Sequence, residues 1–368
     1  MSKPKVIAFY LPQYHPIPEN NEWWGAGFTE WTNVAKARPL YRKHYQPHIP
    51  ADLGFYDLRL PEVREAQVLL AKEAGIFGFC YYHYWFMGRQ LLNKPVDDMV
   101  TLGKPDFPFC LCWANHSWYA KQWSTNNEIL YGKSKILIEQ TYGGEDDIIN
   151  HFYTLLPKFH DARYIRVKGK LLFMIYNGFD FDLKLFSDIW NALAYKEGLP
   201  GFHFITHVCL PHEVARVQEL LDKGFDAVNV SLHRIPFPSE RNVGKGIYGK
   251  VLELLSNHIR VKPEIVKYKD ALPYLVYDGF MDNQVYPTIV PNWDHTPRSG
   301  RFGRVFQDAT PSLFGKHMDQ VFSYLKQKSL DDQIVFLKSW NEWGEGNYVE
   351  PDLKYGHGYI DALKSKLK

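Results

Sequence analysis

Eight short apolar runs separated by helical patterns constrain the fold of this chain more than any other feature. Each run has the length of a β-strand, and several are continuously apolar, as parallel strands buried on both faces are. The runs are residues 6–11, 77–82, 107–113, 171–176, 202–208, 227–231, 285–290 and 334–340. Eight strands that alternate with helices are typical of a (β/α)₈ barrel. We therefore predict an α/β fold, a TIM barrel, with residues 1–368 as a single domain.

The segments between these runs carry helix signals. In residues 61–74, Pro61 suits a first helical turn, apolar residues recur at helical spacing, and Gly75 ends the pattern. Further helices are predicted at 148–159, 185–196, 213–223, 313–328 and 359–367. A doubly wound sheet, the competing fold, needs a Gly-rich turn after its first strand, and residues 12–16 read PQYHP instead. The G-x-G-x-x-G match at 244–249 does not directly follow a strand, so we interpret it as a loop that enters a helix.

Composition excludes several classes of protein. Forty-three Lys and Arg against 41 Asp and Glu give a net charge of +2, too balanced for a nucleic-acid partner. No apolar run approaches the roughly 20 residues of a membrane span.

The cysteines, which lie in short apolar runs, are Cys80, Cys110, Cys112 and Cys209. Free thiols of this kind, with no secretory signal at the N-terminus, predict a cytoplasmic location.

Aromatic residues are concentrated in long loops, and the chain has 11 Trp, 24 Tyr and 24 Phe. Three connections are long, at residues 12–60, 113–145 and 232–283. The first two follow strand ends on the catalytic face of the predicted barrel, so we expect long aromatic-rich βα loops there. Flat apolar rings among Asn, His and Gln suit sugars, which have apolar faces and hydroxyl edges. Any single ring could equally anchor its loop as a small core.

We therefore expect substrate-binding side chains at the strand ends and in these loops. The candidates, which are aromatic or hydrogen-bonding, are Tyr10, Gln13, Tyr14, His15, Trp31, Tyr82, His83, Trp85, Trp113, Asn115, Trp118, Tyr176, His207, Asn292, Trp293, Asn341 and Trp343. For Asn115 and Asn292 the alternative is a turn after a strand, which Asn often forms.

Histidines offer a rival hypothesis, because His83, His207 and His233 follow predicted strands and could be metal ligands. A metal-dependent barrel hydrolase typically has H-x-H on its first strand, and that pair is absent, so we predict hydrogen bonding instead. No phosphate cradle is recognisable, and we expect neither a metal nor an organic cofactor. There is no G-x-S-x-G motif, and the cysteines lie inside strands, which argues against Ser and Cys nucleophiles.

The densest polar segment follows the eighth run and contains two carboxylates, Glu342 and Glu345. They are three positions apart in a segment that also contains Gly and Trp, so a helical turn would project both into one cleft. In apolar surroundings the pKa values of two neighbouring carboxyl groups move apart, so that one acts as an acid and the other as a base. Glycoside hydrolysis requires such a pair. The bare spacing is common on solvated helices, but its position at the catalytic end of the barrel favours a catalytic pair.

Five motifs spread over nearly the whole chain carry a family resemblance. They are VIAFYLPQYH at 6–15, GFTEWTN at 27–33, GFCYYHYW at 78–85, WAN at 113–115 and SWNEWGEG at 339–346. Across residues 4–362 the chain resembles the WbsX-type proteins of bacterial surface-polysaccharide loci. These are relatives of the glycoside hydrolase family 99 endo-α-mannosidases and endo-α-mannanases. The resemblance implies a (β/α)₈ barrel that acts on an α-linked oligo- or polysaccharide.

The resemblance also implies residue roles, since Glu342 and Glu345 match the two carboxylates of the family's Glu-Trp-x-Glu motif. Glu342 would deprotonate the sugar 2-hydroxyl, which attacks C1 to form a 1,2-anhydro sugar, while Glu345 protonates the leaving oxygen. Water would then open the epoxide with retention. WbsX-type proteins are also described as glycosyltransferases. A transferase of cell-surface polysaccharide (O-antigen or capsule) biosynthesis is therefore the second hypothesis, and a non-catalytic carbohydrate-binding barrel is the third.

Overall fold

The computed structural model describes residues 3–119, 136–237 and 262–368, and a parallel barrel lies at its centre. The barrel strands are β1 (Lys5–Tyr10), β2 (Gly78–Phe86), β3 (Phe109–Trp113), β4 (Lys170–Ile175), β5 (Phe202–Val208), β6 (Ala227–Val230), β7 (Val285–Ile289) and β8 (Ile334–Leu337). Each strand pairs in parallel with the next, and β8 pairs with β1. The closed eight-stranded barrel confirms the predicted fold, and each predicted run coincides with one strand.

Helices follow or connect these strands. They are α1 (Pro18–Trp24), α2 (Glu30–Lys36), α3 (Pro61–Ala74), α4 (Lys94–Leu102), α5 (Gly144–Phe159), α6 (Leu183–Lys196), α7 (Pro211–Val214), α8 (Val217–Asp222), α9 (Tyr268–Ala271), α10 (Thr296–Ser299), α11 (Pro311–Leu325) and α12 (Gly358–Leu367). The predicted helices correspond to α3, α5, α6, α11 and α12, with small shifts at the ends. The helix predicted at 213–223 is instead divided between α7 and α8. At the junction Arg216 leaves the helical region, with φ −112° and ψ 18°.

Short elements complete the description. The 3₁₀ turns are Leu272–Tyr274, Asp278–Met281, Gly300–Phe302, Leu330–Asp332 and Trp343–Glu345. The short strands outside the barrel are Arg89–Leu91, Trp118–Tyr119, Ile136–Ile138, Arg166–Val167, Glu264–Lys267, Arg304–Gln307, Asn341–Glu342 and Asn347–Tyr348. The G-x-G-x-x-G match at 244–249 lies outside the described residues. In the described ranges, no helix combines the length and the apolar character needed to cross a membrane.

The helix α3 illustrates how local sequence sets the packing of the outer layer. Pro61 occupies its first turn and Gly75 ends it in the left-handed region, as predicted. A Cβ atom at Gly75 would lie 2.9 Å from the Cβ of Leu367. Glycine at this position therefore permits both the left-handed turn and the close approach of the end of α12.

The seam between β1 and β8 lies directly below the segment that carries Glu342. The strands pair from Lys5 with Ile334 to Ala8 with Leu337. Beyond them, the Asn341 side chain accepts a hydrogen bond from Leu11 N at 2.8 Å and donates one to Leu11 O at 3.1 Å. These bonds fix the start of the segment that carries Glu342 to the end of the first strand.

Candidate active site

A cavity of about 730 Å³ lies at the carboxyl ends of the barrel strands. Glu342 and Glu345 line it, together with Trp24 from the loop after β1 and Trp118 from the loop after β3. Trp31, in the first loop, packs against the ring of Trp343 at 5.5 Å. The described parts of the long aromatic loops therefore share one face of the barrel with the carboxylate pair, as predicted. The volume lies in the range of small-ligand sites.

The segment that carries the two glutamates is a tight turn. Residues Asn341–Glu342 pair with Asn347–Tyr348, and Trp343–Glu345 form a 3₁₀ turn between them. This turn brings both carboxylates to one side, as the predicted helical turn requires. A Cβ atom at Gly344 would lie 1.6 Å from Oε1 of Glu30. Only glycine at this position allows the Glu30 carboxylate to pack against the turn.

Glu342 is held at one of its two carboxylate oxygens. Its Oε2 accepts hydrogen bonds from Lys338 Nζ at 3.0 Å and from Ser339 Oγ at 2.9 Å. Its Oε1 lies 3.8 Å from Nη1 of Arg298. The residue is only 4% exposed. Lys338 and Ser339 thus fix the carboxylate through Oε2. Oε1 has only the longer contact with Arg298.

Glu345 forms the closest ion pair of the site. Its Oε1 lies 2.5 Å from Arg298 Nη1 and 3.4 Å from His295 Nε2. Its Oε2 is buried and has no hydrogen-bond partner among the described residues. Burial acts to raise the pKa of Glu345, but the charges of Arg298 and Lys338 and the contact with His295 outweigh it and hold the pKa well below the ordinary value. In this arrangement Glu345 is a carboxylate at neutral pH, whereas a general acid must carry a proton before it acts.

Lys338 is a buried cation between the two carboxylates. Its Nζ donates to Glu342 and to the hydroxyl of Tyr82, at 3.0 and 3.3 Å, and lies 4.0 Å from Glu345 Oε2. The rings of Tyr82 and Trp293 lie within 5.9 Å of it. Burial acts to lower the pKa of Lys338, but Glu342 and Glu345 together raise it. The ammonium group therefore stays charged and balances part of the negative charge of the pair.

His207 contributes a hydrogen-bond acceptor to the site. The Asn229 amide donates to Tyr286 O and Thr288 Oγ1, both at 2.9 Å, so its oxygen faces His207 Nδ1 at 2.7 Å. Because that oxygen can only accept, Nδ1 carries the proton and Nε2 keeps its lone pair. Burial lowers the pKa of His207 to about 3, so the ring is neutral. Nε2 has no partner among the described residues, and His207 lines the cavity.

The other two histidines of the metal hypothesis make hydrogen bonds inside the protein. His83 Nε2 lies 2.7 Å from His151 Nε2, and His233 Nδ1 lies 2.7 Å from Ser231 Oγ. Burial lowers the pKa of His83 to about 3 and that of His233 well below its ordinary value. Within the three described ranges, no three His, Cys, Asp or Glu side chains are grouped so that they could hold a metal ion.

The structure brings part of the predicted binding set to the cavity. Those that line it, besides the two glutamates, are Gln13, Tyr82, Trp118, Tyr176, His207 and Trp293. The ring of Tyr176 lies 4.7 Å from that of His207, so these two form one wall. The cavity therefore combines apolar rings with hydrogen-bonding groups, as a sugar site requires.

The remaining predicted binding residues do not line this cavity. They are Tyr10, Tyr14, His15, Trp31, His83, Trp85, Trp113, Asn115, Asn292, Asn341 and Trp343. All of them except Asn292 are buried, and their role as sugar contacts stays a prediction. Asn292 lies beside a separate cavity of about 80 Å³.

Particular contacts explain these placements. The indole of Trp85 stacks on His151 at 4.6 Å and donates to Asp147 at 3.0 Å. Asn115 donates to Asn177 O at 2.9 Å and accepts from Asn177 N at 2.7 Å. Trp85 thus connects its strand to helix α5, and Asn115 connects the segments that follow β3 and β4. Burial also lowers the pKa of His15.

Sequence reasoning missed several charged residues of the cavity, among them Glu30, Arg298 and Lys338. Lys338 is a cation inside the otherwise apolar run 334–340, which is an unusual position and could have identified it. Glu30 lies within the motif at 27–33, which could have identified it. Arg298 follows a Pro in a short loop helix, and no local pattern distinguishes it.

A buried acid, Glu350, supports the turn from behind. It accepts hydrogen bonds from Trp343 Nε1 and Gln67 Nε2, both at 2.7 Å, and from the Tyr56 hydroxyl at 2.9 Å. Burial nevertheless raises the pKa of Glu350 to about 7. Glu350 is 1% exposed and does not line the cavity, so it is a structural acid of the site's scaffold.

We expect Glu350 to make folding stability depend on pH. The folded state holds the proton up to about pH 7, whereas an unperturbed Glu releases it near 4.5. The contribution is therefore full below pH 4.5 and decreases as pH rises to 7, by about 3 kcal/mol. Urea unfolding across this range should show the unmutated protein losing about 3 kcal/mol of stability relative to Glu350→Gln as pH rises from 4.5 to 7. A difference that stays constant would contradict this expectation.

Comparisons with known proteins place this site in context. The family described as glycosyltransferase WbsX matches residues 6–363. WxcX proteins from two strains of Xanthomonas campestris pv. campestris are 33% and 32% identical to the chain over 365 residues. The match covers 98% of the chain and 49% of each relative, so the chain spans about half the length of the curated relatives it matches.

Solved structures share the fold over the full length of the chain. A glycoside hydrolase-like protein matches with a TM-score of 0.59 at 15% identity, covering 100% of this chain and 95% of the other. The GH99 endo-α-mannosidase from Bacteroides thetaiotaomicron, in complex with bis-tris propane, matches with a TM-score of 0.52 at 14% identity, over 100% and 97% of the two chains. At these identities the likeness establishes the barrel fold alone.

Proposed function

This chain belongs to the WbsX glycosyltransferase family, and from that membership and the geometry of its cavity we propose that it is an enzyme that cleaves an α-linked, α-mannoside-like glycan with retention. The observation that carries the proposal is the placement of Glu342 and Glu345 on one tight turn, in one cavity, at the catalytic end of the barrel. We further propose that residues 1–368 form a single catalytic domain.

The proposed reaction begins at Glu342. Its Oε2 is held by Lys338 and Ser339, which leaves Oε1 to take the proton of the sugar 2-hydroxyl. The hydroxyl oxygen attacks C1, the bond from C1 to the leaving oxygen breaks, and a 1,2-anhydro sugar forms. Glu345, a carboxylate in the arrangement described above, must first take up a proton from solvent, and it then gives that proton to the leaving oxygen as the bond breaks. Water then opens the epoxide at C1. The Glu345 carboxylate takes the proton of that water, Glu342 returns its proton to the 2-oxygen, and the two inversions give net retention.

The remaining cavity residues suit a hydroxyl-rich substrate. The bare Nε2 of His207 and the unpartnered Oε2 of Glu345 are buried acceptors, and hydroxyl groups are donors that would satisfy both. Trp118 and Trp293 also line the cavity, and aromatic rings suit the apolar side of a sugar. The substrate is therefore proposed to be an oligo- or polysaccharide.

A panel of α-linked oligosaccharides, incubated with and without nucleotide sugars, tests the proposal. We expect hydrolysis that needs no donor, and NMR at early times should show the same anomer in the product as in the substrate. The double variant Glu342→Gln/Glu345→Gln controls for contaminating glycosidases. Inversion at C1 would contradict the mechanism.

The second candidate is a glycosyltransferase of bacterial surface-polysaccharide biosynthesis, which the description of the matching family favours. It would use the same cavity but exclude water as the acceptor. In the panel experiment, product formation only when a nucleotide sugar is present would favour this candidate. Tight binding of glycans without turnover under any condition would instead favour a carbohydrate-binding barrel.

A further inference from the structure

Arg298 connects three carboxylates that lie on separate parts of the chain. Its Nε donates to Glu30 Oε1 at 2.8 Å, and its Nη1 donates to Glu345 Oε1 at 2.5 Å. The same Nη1 lies 3.8 Å from Glu342 Oε1. Glu30 is 2% exposed and packs against Gly344, the residue next to Glu345. The guanidinium group is therefore fixed on one side by Glu30 and directed at Glu345 on the other.

From this geometry we propose that Arg298, anchored by Glu30, is a positioning residue that controls whether Glu345 holds a proton. The inference rests on the proposed function, in which Glu345 must be protonated when the leaving oxygen departs. While Arg298 keeps its bond to Glu345, the carboxylate form is favoured. Glu30 competes for the same guanidinium group and so limits how strongly Arg298 can hold Glu345.

The other charged and titratable groups around Glu345 do not reproduce this arrangement. Those that face it from the packed elements are His295, Lys338, Glu342, His233, Arg234, Tyr82 and Tyr176. His295 Nε2 is 3.4 Å away and Lys338 Nζ is 4.0 Å away, both farther than Arg298. Lys338 also makes its shorter contact with Glu342. Arg298 is thus the dominant cation at Glu345.

Removing the charge of Arg298 and removing the charge of Glu30 should change the titration midpoint of Glu345 in opposite directions. Arg298→Gln removes the positive charge, so the titration midpoint of Glu345 should rise by about one pH unit or more. Arg298→Lys keeps the charge and should give a smaller rise. Glu30→Gln removes a negative neighbour and releases Arg298 to Glu345, so the midpoint should not rise. Within the Arg298→Gln background, adding Glu30→Gln should lower it.

The titration can be followed directly by NMR of protein labelled with ¹³C at the glutamate carboxyl carbons. The signal that disappears in Glu345→Gln identifies the residue. Arg163→Gln is a matched control, because Arg163 is half-buried like Arg298 and pairs with Asp161 at 2.5 Å, but it does not line the cavity. It should leave the midpoint of Glu345 unchanged even where it lowers thermal stability.

Two outcomes would overturn the inference: a midpoint that does not move in Arg298→Gln, or one that rises equally in Arg298→Gln and Glu30→Gln. An equal rise would indicate a general loosening of the site. Because the NMR readout needs no substrate, it separates this inference from the proposed function. If the glycan panel shows no turnover but the midpoints move as expected, the proposed function fails and the control of the proton by Arg298 stands.

Discussion

Glu342→Gln is expected to lower kcat by about 10²- to 10⁴-fold on every α-linked substrate, since positioned proton transfer contributes that much. The amide keeps the shape of the side chain but cannot remove the proton of the 2-hydroxyl. Attack by that hydroxyl needs its base whichever group leaves, so activated aryl glycosides should be affected as strongly as natural linkages. Steady-state kinetics on both substrate classes measures the effect.

Glu345→Gln should show a different pattern, because its proposed role depends on the leaving group. Substrates with poor leaving groups should lose about 10²- to 10⁴-fold, while activated aryl glycosides are largely spared. Glu264→Gln is the control, since Glu264 pairs with Arg304 at 3.0 Å and does not line the cavity. It should leave both rates nearly unchanged.

The epoxide route has its own test with the unmutated protein. A 2-deoxy or 2-fluoro substrate lacks the internal nucleophile and should not be turned over. Efficient hydrolysis of the 2-deoxy sugar would contradict the epoxide mechanism. So would isolation of a covalent glycosyl ester on Glu342, which would make that residue an ordinary nucleophile.

Gly344→Ala is expected to lower activity by about 100-fold although it adds a single methyl group. The new Cβ would lie 1.6 Å from Glu30 Oε1 and 3.1 Å from Arg298 Nε, so the Glu30 carboxylate must move. Arg298 then loses its anchor, and Glu345 moves with it. A displacement of about 1 Å at a catalytic group is sufficient for a 100-fold loss. Kinetics on the best substrate of the panel measures it.

Gly315→Ala is the matched control for this substitution. Gly315 lies within α11, and a Cβ there would meet only Lys366 Cε at 3.9 Å. Alanine should therefore stabilise the protein by about 0.5–1 kcal/mol and leave activity unchanged. If Gly344→Ala retains full activity, the contact between Glu30 and the turn has no part in catalysis.

The barrel was predictable because its strands are buried on both faces and appear in the sequence as nearly continuous apolar runs. The division of the helix at 213–223 was not, because it involves contacts between distant residues. Arg216, at the break, lies over the ring of Phe179 at 4.3 Å. Helical periodicity in the sequence carries no information about such a neighbour.

The candidate site was predictable only in part, for a related reason. Glu342 and Glu345 are close in sequence, so their spacing alone indicated a shared cleft. Glu30 and Arg298 are 268 positions apart, and their pairing follows from the fold rather than from either local sequence. Likewise, the sequence does not show whether an aromatic side chain that follows a strand lines the cavity or packs against the rest of the protein. The stacking of Trp85 on His151 depends on where α5 packs.

The seam between β1 and β8 has a consequence for how the protein is made. Leu11 and Asn341 are bonded but separated by 330 positions, so their hydrogen bonds cannot form until residue 341 has left the ribosome. Until then, β1 and β7 are unpaired edges of the sheet, where strands of other chains can pair incorrectly. When the last strand pairs and closes the barrel, the turn that follows it brings both glutamates into the cavity. Nascent chains that end before residue 334 therefore expose two strand edges and carry neither member of the pair.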